Sequence, residues 1–316
     1  DESIIKCGSY TGNGSSSGPV VNLGFEPQWL LIKKTSAGDA GYWTLLDNMR
    51  GISADGNDNR LYPNTSDSES YATVLSLTST GFQLKTASNS YNANGATYIY
   101  MAIRRPHKPP TVATDVFAID TGSGSPVPTW DSNFPVDMAI FSGAPAGYGR
   151  RIATRLTDLQ WLQMNNNDSE NTDGSLVWDS NVGWGRDYAS NWYSYMFKRS
   201  PGFMDVVTYT GDGTINRTIP HNLGVVPELV IAKRRSSSGE WWVGAADILG
   251  SGKFMYLSRD NAKTPNIGTY GVFGTHTATT IGLETAQNND TNQNTGTYVA
   301  YLFASLDGIS KVGSYT

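Results

Sequence analysis

Cysteine occurs once in 316 residues and histidine three times. A single thiol excludes an internal disulfide framework and a Cys-rich metal site. Charge is scarce as well: Asp, Glu, Lys and Arg make up 16% of the chain, against about 25% in an ordinary soluble domain. The 23 basic residues fall short of the 28 acidic ones, for a net charge of −5. That balance argues against a nucleic-acid groove, where Lys and Arg must neutralise phosphates. No apolar run approaches the roughly 20 residues of a membrane-spanning helix, and the first residues carry no signal-peptide pattern. What the sequence does hold is 34 glycines, 11% aromatics and abundant Ser, Thr and Asn, the make-up of β-sandwiches with many turns. Length alone allows two or three domains, at roughly 100–200 residues each.

Self-similarity sharpens that count. Tyr10-Thr11-Gly12-Asn13-Gly14 returns as Tyr209-Thr210-Gly211-Asp212-Gly213, and Gln28-Trp29-Leu30-Leu31-Ile32-Lys33-Lys34 as Glu228-Leu229-Val230-Ile231-Ala232-Lys233-Arg234. Tyr42-Trp43 aligns with Trp241-Trp242, and the closing run Thr97–Ala102 with Thr297–Leu302. The middle of the chain carries a divergent copy, from Phe134–Phe141 to Trp192–Arg199, flanked by the proline-containing joints Arg105–Pro110 and Lys198–Gly202. Proline stiffens such joints and cannot donate to a ladder. The expectation is three tandem modules, 1–107, 108–202 and 203–308. Ile309–Thr316 repeats Ile4–Thr11 and reads as the opening strand of a further module, so a chain starting at Asp1 and stopping at Thr316 reads as part of a longer one.

Within each module the pattern is β throughout. Runs rich in Val, Ile, Thr, Tyr and Trp, such as Trp29–Ile32, Trp43–Leu46, Ala72–Leu77, Phe82–Leu84 and Thr97–Ile103, are separated by Gly, Asn and Ser clusters. Tyr98, Tyr100 and Ala102 alternate with Ile99, Met101 and Ile103, so both faces are apolar, as in a central strand. Only Thr157–Met164 offers a short helical alternative, and it reads equally well as a strand. The fold class is therefore all-β: three small β-sandwiches of jelly-roll or Ig-like type.

Chemistry is thinly signalled. His107, His221 and His276 lie far from one another in sequence and read as surface or turn residues. No catalytic residue, metal ligand or cofactor site is expected. The acidic cluster Asp168, Glu170, Asp173 and Asp179, and the group Asp55, Asp58, Asp67 and Glu69, could hold a carboxylate pair for glycoside hydrolysis but read better as solvated turns. Aromatics are the stronger lead: the middle copy gathers Trp161, Trp178, Trp184, Trp192, Tyr188, Tyr193 and Tyr195. A tryptophan face can stack on the apolar side of a sugar ring. Gly183-Trp184-Gly185 suggests a loop, so Trp184 and Tyr188, with Asp179 and Asn181 as polar partners, are the candidate ligand-binding residues. Trp43 and Trp241-Trp242, being repeated, are expected in or near the core. The basic clusters Arg104-Arg105, Arg150-Arg151, Arg199 and Lys233-Arg234-Arg235 read as strand-end charges, edge protection or inter-subunit contacts.

Taken together, Lys6–Gly14, Gly24–Lys33, Tyr42-Trp43 with Asp47-x-x-Arg50-Gly51, Leu61-Tyr62-Pro63-Asn64, Gly81-Phe82 and Asn94–Ala102 resemble a repeat module of tail-fibre and tail-associated virion proteins of tailed phages, of the marine and cyanobacterial kind. The resemblance is close over the first copy, good over the third and weak in the second. The third copy departs from it in lacking the Asp-x-x-Arg-Gly element at Asp247–Gly250. It implies a structural virion protein, a homo-oligomer (a trimer being one form) that contacts other virion proteins and adheres to a host-surface glycan. It brings no catalytic residues, and the charge balance and lack of long apolar runs already lead to the expectation of no nucleic-acid partner and no membrane. The alternatives are a secreted cellular adhesin or filament subunit, and a glycan depolymerase acting through the acids at 168–179.

Overall fold

The computed structural model describes residues 4–36, 41–54, 57–124, 127–143, 149–186, 190–250, 252–260, 272–284 and 291–315. The protein is all-β, with several antiparallel sheets and only single-turn helices among the described residues. In the first copy, β1 (Ile5–Thr11), β9 (Thr97–Arg104), β3 (Pro27–Lys34), β4 (Thr44–Asp47), β5 (Asp58–Leu61) and β6 (Ser70–Ala72) form one sheet in that order. A smaller sheet is ordered β2 (Val20–Asn22), β8 (Gly81–Leu84), β7 (Leu75–Thr78).

The second copy repeats this order. Its large sheet is β10 (Phe117–Thr121), β18 (Trp192–Phe197), β12 (Met138–Gly143), β13 (Arg151–Thr154), β14 (Gln160–Gln163), β15 (Asn171–Thr172). Its small sheet is β11 (Trp130–Asp131), β17 (Gly183–Arg186), β16 (Leu176–Val177). The third runs β19 (Met204–Thr210), β25 (Thr297–Phe303), β21 (Leu229–Arg234), β22 (Trp241–Gly244), β23 (Phe254–Tyr256), with β20 (Arg217–Pro220) paired to β24 (Thr280–Leu283). The first five strands of the large sheet thus follow one order in all three, even where the middle sequence has diverged.

Compactness divides the chain differently. Residues 1–106 with Arg155–Asp158 form one unit, and His107–Thr154 with Leu159–Thr316 form the other, so the second and third sheet pairs lie in a single body.

Each pair buries apolar side chains between its two sheets. In the third, Val207, Val230, Ala232, Tyr298 and Leu302 of the large sheet meet Ile219, Ile281 and Leu283 of the small one. In the first, Phe82 of β8 packs edge-on to Tyr10 and Tyr100. The central position expected for Thr97–Ile103 is observed: β9 lies between β1 and β3. The expected single strand Ala72–Leu77 is two, β6 and β7, in different sheets, and Thr157–Met164 holds strand β14 rather than a helix.

The repeated Tyr-Thr-Gly-x-Gly motif has a structural explanation. Tyr10 stacks on Tyr98 with centroids 5.0 Å apart and donates its hydroxyl proton to the Tyr91 carbonyl, as Tyr209 stacks on Tyr298 at 5.1 Å and donates to the Thr291 carbonyl. A Cβ on Gly12 would come within 2.3 Å of the Ala93 carbonyl oxygen, and on Gly211 within 2.0 Å of that of Gln293. Only glycine allows such backbone approach. Buried Asn92 and Asn292 pin the turns from below, each donating to the residues one and three past the motif's first glycine: Asn92 to Asn13 Oδ1 and the Ser15 carbonyl, Asn292 to Asp212 Oδ1 and the Thr214 carbonyl. In place of the expected opening strand, Ile309–Tyr315 is irregular, held by the Leu306–Ser310 bridge and by Val312 N–H donating to Ser305 Oγ. In each large sheet the opening strand pairs with a closing one.

Candidate functional site

Trp184 is not on a loop. It lies on β17 with no solvent exposure, sandwiched between Trp130 at 4.9 Å and Trp178 at 4.6 Å, both rings 22° from parallel, and its indole N–H donates to Ser194 Oγ at 2.9 Å. The flanking glycines serve packing rather than a turn: a Cβ on Gly183 would meet the Trp130 carbonyl oxygen at 2.2 Å, and on Gly185 the Val127 side chain at 2.7 Å. Three stacked tryptophans fill the core of the second pair, where the first and third use tyrosines. Asp179 and Asn181 are exposed on the β16–β17 connection, with the indole of Trp184 beneath the surface. Tyr188 lies outside the described residues, so the structure assembles no ring-and-acceptor site from these four.

The acidic residues at 168–179 do not form a carboxylate pair either. Glu170 accepts from Arg235 at 2.7 Å, and Asp173 from Arg186 at 2.6 Å. Burial works to raise the Asp173 carboxyl, but hydrogen bonds from Ser175 and Arg186 outweigh it and hold the group below the ordinary carboxylate range. Asp168 accepts from the Asn166 amide, and Asp179 faces solvent. In the first unit Asp58 is fully buried, taking N–H bonds from Ser53, Val74 and Leu75. Burial pushes its carboxyl up to about 7 against those three donors, with Asp158 adding like charge. Asp55 lies outside the described residues.

Two of the three histidines come together. His221 is buried and its Nδ1 accepts from Leu223 N–H, while His276 Nδ1 accepts from Gly282 N–H. Burial, then proximity to His221, pushes His276 down to about 4. His221 is buried and His276 half-buried, and each ring accepts from a backbone N–H. No group of three or more His, Cys, Asp or Glu suited to a metal ion exists among the described residues.

The polar chemistry concentrates instead where the second and third sheet pairs meet. The β14–β15 connection lies over the outer face of the third large sheet. Lys233, with no exposed surface, donates to the carbonyls of Asp168 at 2.8 Å and Asn167 at 3.4 Å. The Trp241 indole N–H, equally buried, donates to the carbonyls of Asn166 at 2.9 Å and Gln163 at 3.1 Å. Arg235 completes the junction with Glu170, and Trp241 stacks on Tyr301 at 6.2 Å. Lys233 and Arg235 are thus buried anchors between sheet pairs rather than strand-end charges. The readable signal was the lysine shared by Lys33 and Lys233 at the end of an apolar strand.

Register also corrects the tryptophan alignment. Ile32 pairs with Thr44 and Ala232 with Trp242, so Trp43 corresponds to Trp241 rather than Trp242. A shift of one residue moves a side chain to the opposite face. Trp43 accordingly sits on the outer face and is 36% exposed, not core as expected, while Trp241 and Trp242 are buried. Beside it Tyr42 and Tyr62 touch at 5.0 Å, and the Asn64 side-chain oxygen accepts from Trp43 N–H. Tyr193 and Tyr195 are exposed on β18 in the second pair.

Among known proteins, the profile of a domain of unknown function, DUF7483, matches residues 3–106 and 158–316. No curated protein matches the chain.

Proposed function

The chain belongs to the DUF7483 family of domains of unknown function, and from that premise we propose that it is a structural virion protein of a tailed phage, a homo-oligomeric tail-fibre or surface-fibre segment without catalytic activity. The observation that carries this reading is the junction of the second and third sheet pairs. Lys233, Trp241 and Arg235 are buried there against a neighbouring pair's loop, which is how repeated small domains gain length without a larger core. The acids of the depolymerase alternative are spoken for by Arg235 and Arg186 or lie in solvent. Mass spectrometry of gradient-purified particles tests the reading. Peptides of this chain should co-purify with capsid proteins, whereas peptides confined to the secreted fraction of cells would overturn it in favour of the cellular adhesin.

Adhesion to a host-surface glycan is a second activity of the same fibre, and with Trp184 buried it falls to exposed aromatics. Tyr193 and Tyr195 project from the outer face of β18 at 48% and 42% exposure, and a tyrosine offers a sugar both a flat apolar ring and a hydroxyl. A glycan array should give signal for the wild type that Tyr193→Ala and Tyr195→Ala abolish. No signal, or signal unchanged by both, refutes the adhesion.

A further inference from the structure

The outer face of the large sheet in the first unit repeats, position by position, a face that the second unit buries. Registers align Cys7 with Val206, Ile99 with Val299, Met101 with Tyr301, Lys33 with Lys233 and Trp43 with Trp241. In the third sheet pair Val206, Val299, Tyr301, Lys233 and Trp241 are all at most 2% exposed. In the first pair Ile99 and Trp43 are 39% and 36% exposed, and Ile5 and Tyr71, on the two edge strands of the sheet, reach 53% and 71%. Cys7 is exposed on the same face.

Its donors match as well. On the third sheet, Lys233 and the Trp241 indole deliver their N–H groups to four backbone carbonyls, one at the end of β14 and three in the β14–β15 connection. On the first sheet, Lys33 donates only to its neighbour Gly41 and the Trp43 ring meets no acceptor among the described residues.

We propose that this face of the first unit, bounded by Ile5, Cys7, Ile99, Met101, Lys33 and Trp43, docks a second copy of the chain, which lays a carbonyl-rich sheet edge over Lys33 and Trp43. The assignment rests on the homo-oligomeric reading above and adds where the copies meet. A protein partner fits better than a sugar, because Ile5, Ile99 and Met101 are aliphatic and offer hydroxyls nothing to bond. A second copy fits in charge too: the face presents Lys33, while the chain as a whole carries −5 and its turns are rich in Asp and Asn. The covering element in the second unit belongs to the β13–β15 side of a large sheet, and on the corresponding side of the third large sheet β23 is the outermost strand among the described residues. Contact between that edge and the first unit of another copy is heterologous, so it grows into a filament or closes into a ring such as a trimer.

Sedimentation velocity of the full chain across a hundredfold concentration range tests this, together with the rate at which a maleimide modifies Cys7. The wild type should associate, with Cys7 modification slowing at least tenfold as it does. Trp43→Asp and Lys33→Glu should each weaken association at least tenfold, while Val20→Asp, on the exposed edge of the small sheet, leaves it unchanged. If the wild type associates but Cys7 stays equally reactive and the two variants associate normally, the docking face is wrong and the homo-oligomer stands. A wild type that is monomeric at every concentration overturns both. Shielding of Cys7 by added host polysaccharide in a monomeric chain would assign the face to a sugar and also overturn the proposal.

Discussion

Replacing Glu170 by Ala should damage the second unit far more than replacing its partner, Arg235. The Arg235 side chain is 3% exposed, while Glu170 retains 21%, and they meet at 2.7 Å. Removing one member of a buried ion pair costs about 3–5 kcal/mol, because the survivor is left charged and uncompensated. Solvent already reaches part of Glu170, which places Glu170→Ala near the lower end, at about 3 kcal/mol. Arg235→Met removes the deeply buried charge and leaves a carboxylate that water can reach, so it should cost about 1 kcal/mol. The double variant should resemble Arg235→Met alone, since the stranded cation that made Glu170→Ala costly is gone. Urea unfolding followed by tryptophan fluorescence suits the purpose: seven of the nine tryptophans lie in the second unit. With a slope of about 2–3 kcal/mol per molar urea, Glu170→Ala should lower the midpoint by about 1 M. Equal costs for the two single variants, or a double variant as unstable as Glu170→Ala, would refute the buried-cation account of this junction.

Three further outcomes follow from the same geometry. Trp184→Ala should cost about 3–5 kcal/mol by opening a cavity between Trp130 and Trp178; a Trp184→Ala protein that melts like the wild type would put the ring back on the surface. Asp58, with an ordinary value near 3.8 and a native one raised to about 7, binds more protons folded than unfolded between those values. Its contribution is therefore present in full below about pH 4 and lost as pH rises towards 7, by about 4 kcal/mol in all. Urea midpoints of the first unit should fall from pH 5 to pH 8, and Asp58→Asn should flatten that slope whatever it does to stability overall. Asn92→Ala and Asn292→Ala, each stranding buried partners of the glycine turn, should both lower stability, by about 2–3 kcal/mol, in thermal melts of the full chain. A loss at only one of them would break the equivalence of the two turns.

The repeats carried most of the fold into the sequence, because a strand's alternation and a glycine's close approach are local requirements. The central place of Thr97–Ile103 was legible from apolar residues on both its faces. The middle copy's strand order was less so, since stacked tryptophans there replace the tyrosine pairs. Burial was where reading from sequence went astray. Gly183-Trp184-Gly185 has the composition of a loop, yet the two glycines admit the Trp130 strand on one side and Val127 and Thr129 on the other, which only the folded neighbours reveal. Trp43 was aligned one residue off, with Trp242 instead of Trp241, and in a strand one residue is the difference between the two faces of a sheet. The fate of Lys233 and Arg235 was hidden for another reason: the acceptors that justify burying them are backbone carbonyls and a glutamate more than 60 residues away.

The central claim is that the chain is a segment of a virion fibre, and gold-labelled antibody raised against it and applied to intact phage particles measures that directly. The account predicts label on thin appendages of the particle, spaced along their length. Label absent from particles but present on cell surfaces or secreted filaments would contradict it.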